Sequence, residues 1–243
     1  MRKLYEKSEL TFTIVWIVIY CVLQSLANPL NEKIGIEYSA SAVFCILQSV
    51  VLLVFIWKNN LLKRYGLCKS SIPASRFLFY IPLIILATIN FWNGTAFKLN
   101  LAGTVCYIAC MFCVGFLEEV IFRGLLFKAI AKDNVKTAII ISSITFGLGH
   151  LLNLVNGSGA EIVENLFQVT GAIAIGFLFV ILYYYGGSLF PCMITHSAIN
   201  ITSAFANVAG LTLEKRIIFQ LVLFAITIVY SFILTKTLPK NKY

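Results

Sequence analysis

Three hydrophobic segments of this sequence carry the ionisable side chains whose types and spacing could do chemistry. The first contains Glu118, Glu119 and Arg123, the second contains His150 and the third contains His196. No other histidine occurs among the 243 residues. A charged group at the centre of a membrane helix costs roughly 2.5–3.5 kcal/mol on insertion scales, so such groups indicate a functional cavity or a buried ion pair.

The acidic pair divides into two roles. Glu119 and Arg123 stand four residues apart, so on a helix they share one face and can form an ion pair. Glu118 is rotated about 100° from Glu119 and has no partner at that spacing. A carboxylate without an ion-pair partner can take a proton from water, which is the task of a general base. The alternative is that both acids belong to one buried cluster that fixes helix packing.

The second segment presents Phe146 and His150 four residues apart, on one face of a helix. Gly147 and Gly149 remove side-chain bulk beside them, so another backbone or a substrate can approach closely. Taken alone, His150 fits a hydrogen-bonded packing residue as well as a functional one.

The third segment pairs His196 with Asn200 at the same spacing. Both side chains can donate hydrogen bonds, which a developing oxyanion requires. Hydrogen bonding between helices would use the same two residues. Because an acidic pair, two histidines and an asparagine fall on three separate helices, we favour a reacting centre over packing alone.

Several other protease signatures are missing. The sequence has no His-Glu-x-x-His motif, no Gly-x-Ser-x-Gly and no Gly-x-Gly-Asp. A Gly-Ser-Gly tripeptide at 157–159 falls in a loop predicted to lie outside the membrane, so it argues only weakly for a serine nucleophile.

The elements that must position these residues are membrane helices. The chain is 60% hydrophobic and 12% charged, with a mean hydropathy of +0.90. About 20 apolar residues span a bilayer as a helix. The pattern predicts an all-α polytopic membrane protein, one domain over 1–243 with about eight spans enclosing a cavity and a motif core at 116–200. The predicted spans are 10–27, 39–57, 77–93, 102–122, 137–154, 165–185, 188–208 and 217–235.

The net charge of +9 is spread between the apolar segments rather than gathered on one basic face, which argues against a nucleic-acid partner. With both termini on one side of the membrane, that side holds 15 Lys and Arg residues and the other side holds 4. The positive-inside rule then predicts cytoplasmic termini. A small Lys-rich chain with no organelle signal indicates a bacterial cell membrane, and the apolar segments predict membrane lipid as a partner.

In order and spacing, the motifs resemble those of the CPBP intramembrane protease family. That family includes the type II CAAX prenyl endopeptidases and bacterial bacteriocin-processing and immunity relatives. It carries Glu-Glu-x-x-x-Arg, then Phe-x-x-x-His, then His-x-x-x-Asn, which here fall at 118–123, 146–150 and 196–200. The first hundred residues carry no motif of the family.

The resemblance implies an intramembrane endopeptidase with four catalytic residues. Glu118, as general base, and His150 would hold and activate the attacking water, while His196 and Asn200 would stabilise the oxyanion. The residues implied to support the cavity are Glu119, Arg123 and Phe146. We favour this reaction without a cofactor, although Glu118, His150 and His196 could also bind zinc, since two histidines and a carboxylate form one type of catalytic zinc site.

The substrate implied is a peptide, a lipidated peptide or a precursor protein. Two other functions stay open at this point. A membrane immunity or binding protein could keep the fold without turnover, and an ion-coupled transporter also needs buried acids and histidines.

Overall fold

The computed structural model describes residues 1–156 and 161–239, so the Gly-Ser-Gly tripeptide at 157–159, Lys240 and Lys242 lie outside the described residues. The described chain is almost entirely helical. An eight-residue π-helix, Glu119–Leu126, continues directly from one α-helix into the next. The α-helices are α1 Arg2–Lys7, α2 Glu9–Ile34, α3 Ser39–Lys58, α4 Ile81–Ala87, α5 Leu101–Glu118, α6 Phe127–Ala131, α7 Val135–Gly149, α8 Ile162–Gly186, α9 Phe190–Thr202 and α10 Leu213–Thr237.

Seven helical segments are long and apolar enough to cross a membrane, which confirms the predicted all-α polytopic class. The fourth predicted span continues through the π-helix to the end of α6. The segments are Glu9–Ile34, Ser39–Lys58, Ala74–Phe91, Leu101–Ala131, Val135–Leu154, Ile162–Gly186 and Leu213–Thr237.

The surface of the bundle carries large apolar side chains, whose exposure to water would be unfavourable. Val18, Leu47, Ile228 and Phe232 are all exposed, and Phe232 keeps 62% of its accessible surface. The interior holds both apolar residues and polar ones such as Arg123, which is fully buried. Arg123 is one of the 15 basic residues in the positive-inside count, which treats all of them as loop residues, yet it lies buried in the bundle. An apolar exterior of this kind is stable only when lipid covers it.

Both described ends of the chain lie at one face of the bundle, here named the terminal face. Glu9, at the start of α2, accepts from Tyr65 at 2.5 Å and pairs with Arg64 at 2.7 Å and with Lys132. Burial, reinforced by the bond to Glu9, raises the pKa of the Tyr65 hydroxyl. These contacts tie the loop after α3 and the end of α6 to the N-terminal helices.

The opposite face, named the distal face, contains the α2–α3 turn, the loop before α5, the end of the Val135–Leu154 segment and the starts of α8 and α10. Asn28 donates to the carbonyl of Asn156 at 2.8 Å. Arg216 pairs with Glu164 at 2.6 Å, which places the first turns of α10 and α8 side by side.

The seventh predicted span, 188–208, differs from the expectation. It contains the 13-residue α9 and a short 3-10 turn, Ser203–Phe205. Thirteen residues rise about 20 Å, less than the roughly 30 Å hydrocarbon slab. Because α8 and α10 both begin at the distal face, the chain from 187 to 212 must still return across the bundle. The crossing is completed by non-helical chain, and it keeps both described ends at the terminal face.

Two helix pairs approach closely at glycines. A Cβ on Gly147 would lie 2.9 Å from the backbone nitrogen of Ile173 and 2.2 Å from its Cγ1. A Cβ on Gly115 would lie 2.9 Å from the backbone nitrogen of Ser197. The expectation that Gly147 admits another backbone is confirmed, whereas the Cβ position of Gly149 faces open space.

We expect Gly147→Ala to destabilise the protein by about 1–3 kcal/mol, because the new methyl group forces α7 and α8 apart. Gly149→Ala is the matched control on the same helix and should be neutral or slightly stabilising, since alanine favours helix over glycine. Thermal unfolding in detergent measures both. Equal effects of the two substitutions would contradict the close-approach argument.

Candidate active site

The buried ion pair that the four-residue spacing predicts is present at the start of the π-helix. Arg123 Nη1 lies 3.1 Å from Glu119 Oε1, and both side chains are fully buried. The guanidinium carbon of Arg123 lies 3.9 Å from the centroid of the Phe146 ring. A cation over an aromatic face is stabilised by the ring quadrupole, so Phe146 adds support to the pair.

His196, on α9, bridges the two glutamates. Its Nδ1 lies 2.8 Å from Glu119 Oε1, and its Nε2 lies 3.5 Å from Glu118 Oε2. Glu119 also binds Arg123, so its carboxylate accepts and the imidazole Nδ1 donates. This contact fixes the ring and turns Nε2 towards Glu118. Sequence reasoning placed His196 beside Asn200. It missed the bond between His196 and Glu119, because these two residues lie on different helices.

Glu118, the last residue of α5, has two carboxylate oxygens with different surroundings. Its Oε1 accepts from the Tyr20 hydroxyl at 2.6 Å. Its Oε2 has no hydrogen-bond partner within the described residues, although the residue keeps only 9% of its accessible surface. Buried polar oxygens are normally hydrogen-bonded. One oxygen is therefore held in place by Tyr20, and the other has only the His196 imidazole nearby, at 3.5 Å.

Tyr20 belongs to the part of the sequence in which we found no motif. Its tyrosine type and its place in an apolar helix do not distinguish it from other membrane tyrosines. Only the packing of α2 against the π-helix region brings its hydroxyl to Glu118. No local sequence signal could have identified it.

His150 lies where α7 ends and a 3-10 turn begins. The Phe146 ring contacts both imidazoles edge-to-face, with centroid distances of 5.5 Å to His150 and 5.5 Å to His196. The two imidazoles are therefore at most twice this distance apart. Asn165 on α8 donates to the His150 carbonyl at 2.8 Å, which holds the end of the helix in place. Asn165 is a second residue that sequence reasoning missed.

These side chains meet at one internal cavity of about 840 Å³. Glu118, His150, His196 and Asn200 all line it, together with Tyr20 and Phe146. The backbone carbonyl of Asn200 accepts from the Tyr107 and Ser203 hydroxyls at 3.1 Å and 2.8 Å, which holds the residue in place. The structure thus brings all four predicted catalytic residues to the same space. Glu119 and Arg123 lie fully buried behind its wall.

The geometry supports metal binding less strongly than it supports a site without a metal. Within residues 1–156 and 161–239, no group of three or more His, Cys, Asp or Glu side chains is placed to hold a metal ion. The seven cysteines are free thiols, including Cys110 and Cys113, which are spaced as Cys-x-x-Cys. The alternative zinc set of Glu118, His150 and His196 stays a prediction.

The lipid-facing bundle and its enclosed cluster of two glutamates, an arginine and histidines define an integral membrane protein with a polar internal site. Residues 100–202 match the family described as type II CAAX prenyl endopeptidase, Rce1-like. The match confirms the resemblance to the CPBP intramembrane proteases over these 103 residues, which include all three motifs. No curated protein matches the chain.

We expect Arg123→Met to cost about 3–5 kcal/mol of stability, because it leaves Glu119 charged and buried without its main partner. The double variant Glu119→Gln/Arg123→Met should recover much of this loss, since neither charge remains. Glu164→Gln breaks an exposed pair with Arg216 and should change stability by about 0–1 kcal/mol. Chemical or thermal unfolding in detergent measures the stability of all three variants. If Arg123→Met destabilised the protein as little as Glu164→Gln, the role of the buried pair would be contradicted.

Proposed function

We propose that this protein is an intramembrane endopeptidase in which Glu118 activates a water molecule for attack on a peptide bond. This proposal rests mainly on the environment of Glu118. Its Oε1 is bound by Tyr20, its Oε2 has no hydrogen bond among the described residues and lies 3.5 Å from His196 Nε2, and the residue lines the cavity. A carboxylate that is fixed through one oxygen and has no hydrogen bond at the other fits a general base, which must hold the attacking water in a defined position.

In the proposed reaction, Glu118 takes a proton from water as the water oxygen bonds to the carbonyl carbon of the substrate. The carbonyl oxygen becomes an oxyanion in a tetrahedral intermediate. Glu118 then returns the proton to the nitrogen of the leaving amine as the carbon–nitrogen bond breaks. The oxyanion re-forms the carbonyl in this step, so one water is consumed and a carboxylic acid and an amine are formed. His150, at the same cavity wall, would help to hold the water.

His196 and Asn200 would stabilise the oxyanion. The bond from His196 Nδ1 to Glu119 supports this role, because it fixes the imidazole with Nε2 turned towards Glu118 at the cavity. Preorganised donors in a dry site are worth about 10²–10³-fold in rate.

The proposed setting is a cell membrane with the terminal face in the cytoplasm. Lys132 and Arg64 lie at that face and fit the positive-inside rule. The substrate would be a peptide or a precursor protein, with or without a lipid group. A binding protein without turnover would keep the same cavity, so activity has to be measured directly.

We expect purified wild-type protein to cleave an internally quenched peptide, and Glu118→Gln to reduce turnover by about 10²–10⁴-fold, because the amide cannot accept a proton. His150→Ala should also lose activity. Activity that survives Glu118→Gln would rule out this mechanism. Each protein is also assayed with and without a strong chelator, since loss of activity on chelation would favour the zinc alternative.

Tyr20→Phe should lower kcat about tenfold or more with little change in KM. A hydrogen bond to a charged group is worth about 1.5–3 kcal/mol, and here it orients the base rather than the substrate. Tyr230→Phe is the matched control, because it removes a buried bond from a tyrosine hydroxyl to the Phe77 carbonyl, at 2.7 Å. It should affect stability and leave kcat unchanged. Full activity of Tyr20→Phe would show that the contact does not position Glu118.

A further inference from the structure

The cavity leads from Glu118 towards the distal face. Beyond the reacting groups, its lining includes Asn31, Glu32 and Glu37 around the α2–α3 turn. It also includes Asn156 from the chain before α8 and Gln168 from the first turns of α8. All of these residues lie at the distal end of the bundle, so polar side chains occur along the cavity from that face to the site.

The terminal side of the site is closed. Gly124, next to Arg123 in the chain, packs against Tyr65 and Leu189, with their side chains 3.5 Å and 3.6 Å from its Cβ position. Tyr65 and Leu189 are both fully buried. The Leu189 nitrogen donates to the Gly66 carbonyl at 2.8 Å and joins the two loops above this packing. A substrate therefore reaches the site more readily from the distal face.

The charge of the cavity has one sign. Among the described residues that line it, the acidic side chains are Glu32, Glu37 and Glu118, and none is Lys or Arg. An adjoining cavity of about 440 Å³ contains Lys98 and Arg216. Arg216 is paired with Glu164, and Lys98 donates to the Ser203 carbonyl at 3.3 Å. The route to Glu118 is thus more favourable for a cation than for an anion, since low-dielectric walls focus the field of like charges.

The lining also suits an extended peptide backbone. Amide side chains recur along it and can both donate and accept hydrogen bonds. Those towards the distal face include Asn28, Asn31, Asn153, Asn156 and Gln168. A peptide without secondary structure has unpaired N–H and C=O groups that such a wall can satisfy.

We propose that the site takes an extended peptide that carries Lys or Arg and enters from the distal face, which is the extracytoplasmic face in the proposed orientation. This inference rests on the proposed function and names its substrate class. Glu32 and Glu37 attract the cationic side chain, and Glu118 lies at the inner end of the same cavity. The groups that recognise the peptide are distinct from those that hydrolyse it, so the two can be tested separately.

The first test uses three quenched peptides that are identical except for two positions holding Lys, Gln or Glu. At low salt, we expect kcat/KM for the Lys peptide to exceed that for the Glu peptide by about tenfold. The preference should shrink as salt screens the charges. Glu32→Gln/Glu37→Gln should reduce it, whereas Glu6→Gln/Asp133→Asn, which removes two exposed carboxylates from the terminal face, should not.

Equal rates for the three peptides, or a preference that persists in Glu32→Gln/Glu37→Gln, would overturn the proposed substrate class. Fluorescence anisotropy with labelled Lys and Glu peptides gives a readout without turnover. If the Lys peptide binds preferentially through Glu32 and Glu37 but is not cleaved, this inference stands and the endopeptidase proposal fails.

The second test examines the side of access in proteoliposomes of neutral lipid. An epitope tag at the N-terminus reports orientation, because externally added protease removes it only from molecules whose terminal face points outwards. Cleavage or binding of an external, membrane-impermeant Lys peptide should scale with the fraction of tags that are protected. Scaling with the exposed fraction would place the access route at the terminal face and overturn the proposed side.

Discussion

The structure depends on the neutralisation of charge inside a lipid-facing bundle. Arg123 and Glu119 are fully buried, and a buried charge without a partner costs several kcal/mol. The two charges have all of their contacts only when three elements are in place together. These are the π-helix, α9, which supplies His196, and α7, which supplies the Phe146 ring. The same requirement brings Glu118 next to His196 and the cavity. Packing and chemistry are therefore set by one cluster, and Glu118 is its only carboxylate that reaches the cavity.

Contacts within one helix were predictable because they follow from spacing. The Glu119–Arg123 pair and the Phe146–His150 contact both join residues four apart. Contacts between helices could not be predicted, because the sequence does not show which helix faces pack together. The Tyr20–Glu118 bond joins residues 98 positions apart and has no periodic signal.

The membrane spans show the same division between local and long-range information. Hydropathy located the seven long segments, because each one is apolar through its own length. It could not show that 188–208 crosses as a short helix and non-helical chain, since that depends on α8 and α10 lying parallel. Charge counting treated Arg123 as a loop residue, because a count of basic residues cannot register burial beside Glu119. The asymmetry between a closed terminal side and a polar distal route likewise appears only in three dimensions.

The π-helix has a consequence for how the chain could tolerate changes in length. Each of its hydrogen bonds spans five residues instead of four, so Glu119–Leu126 holds roughly one residue more than a regular helix of the same length. Deleting one residue there would let the segment relax to a regular helix. The flanking helices α5 and α6 would stay close to their present positions, and the groups inside the segment would change direction. The Phe122 carbonyl, which accepts from Ser142 at 2.8 Å, would turn away from α7. Such a shortened chain could still insert and fold while its reacting groups lost their common register.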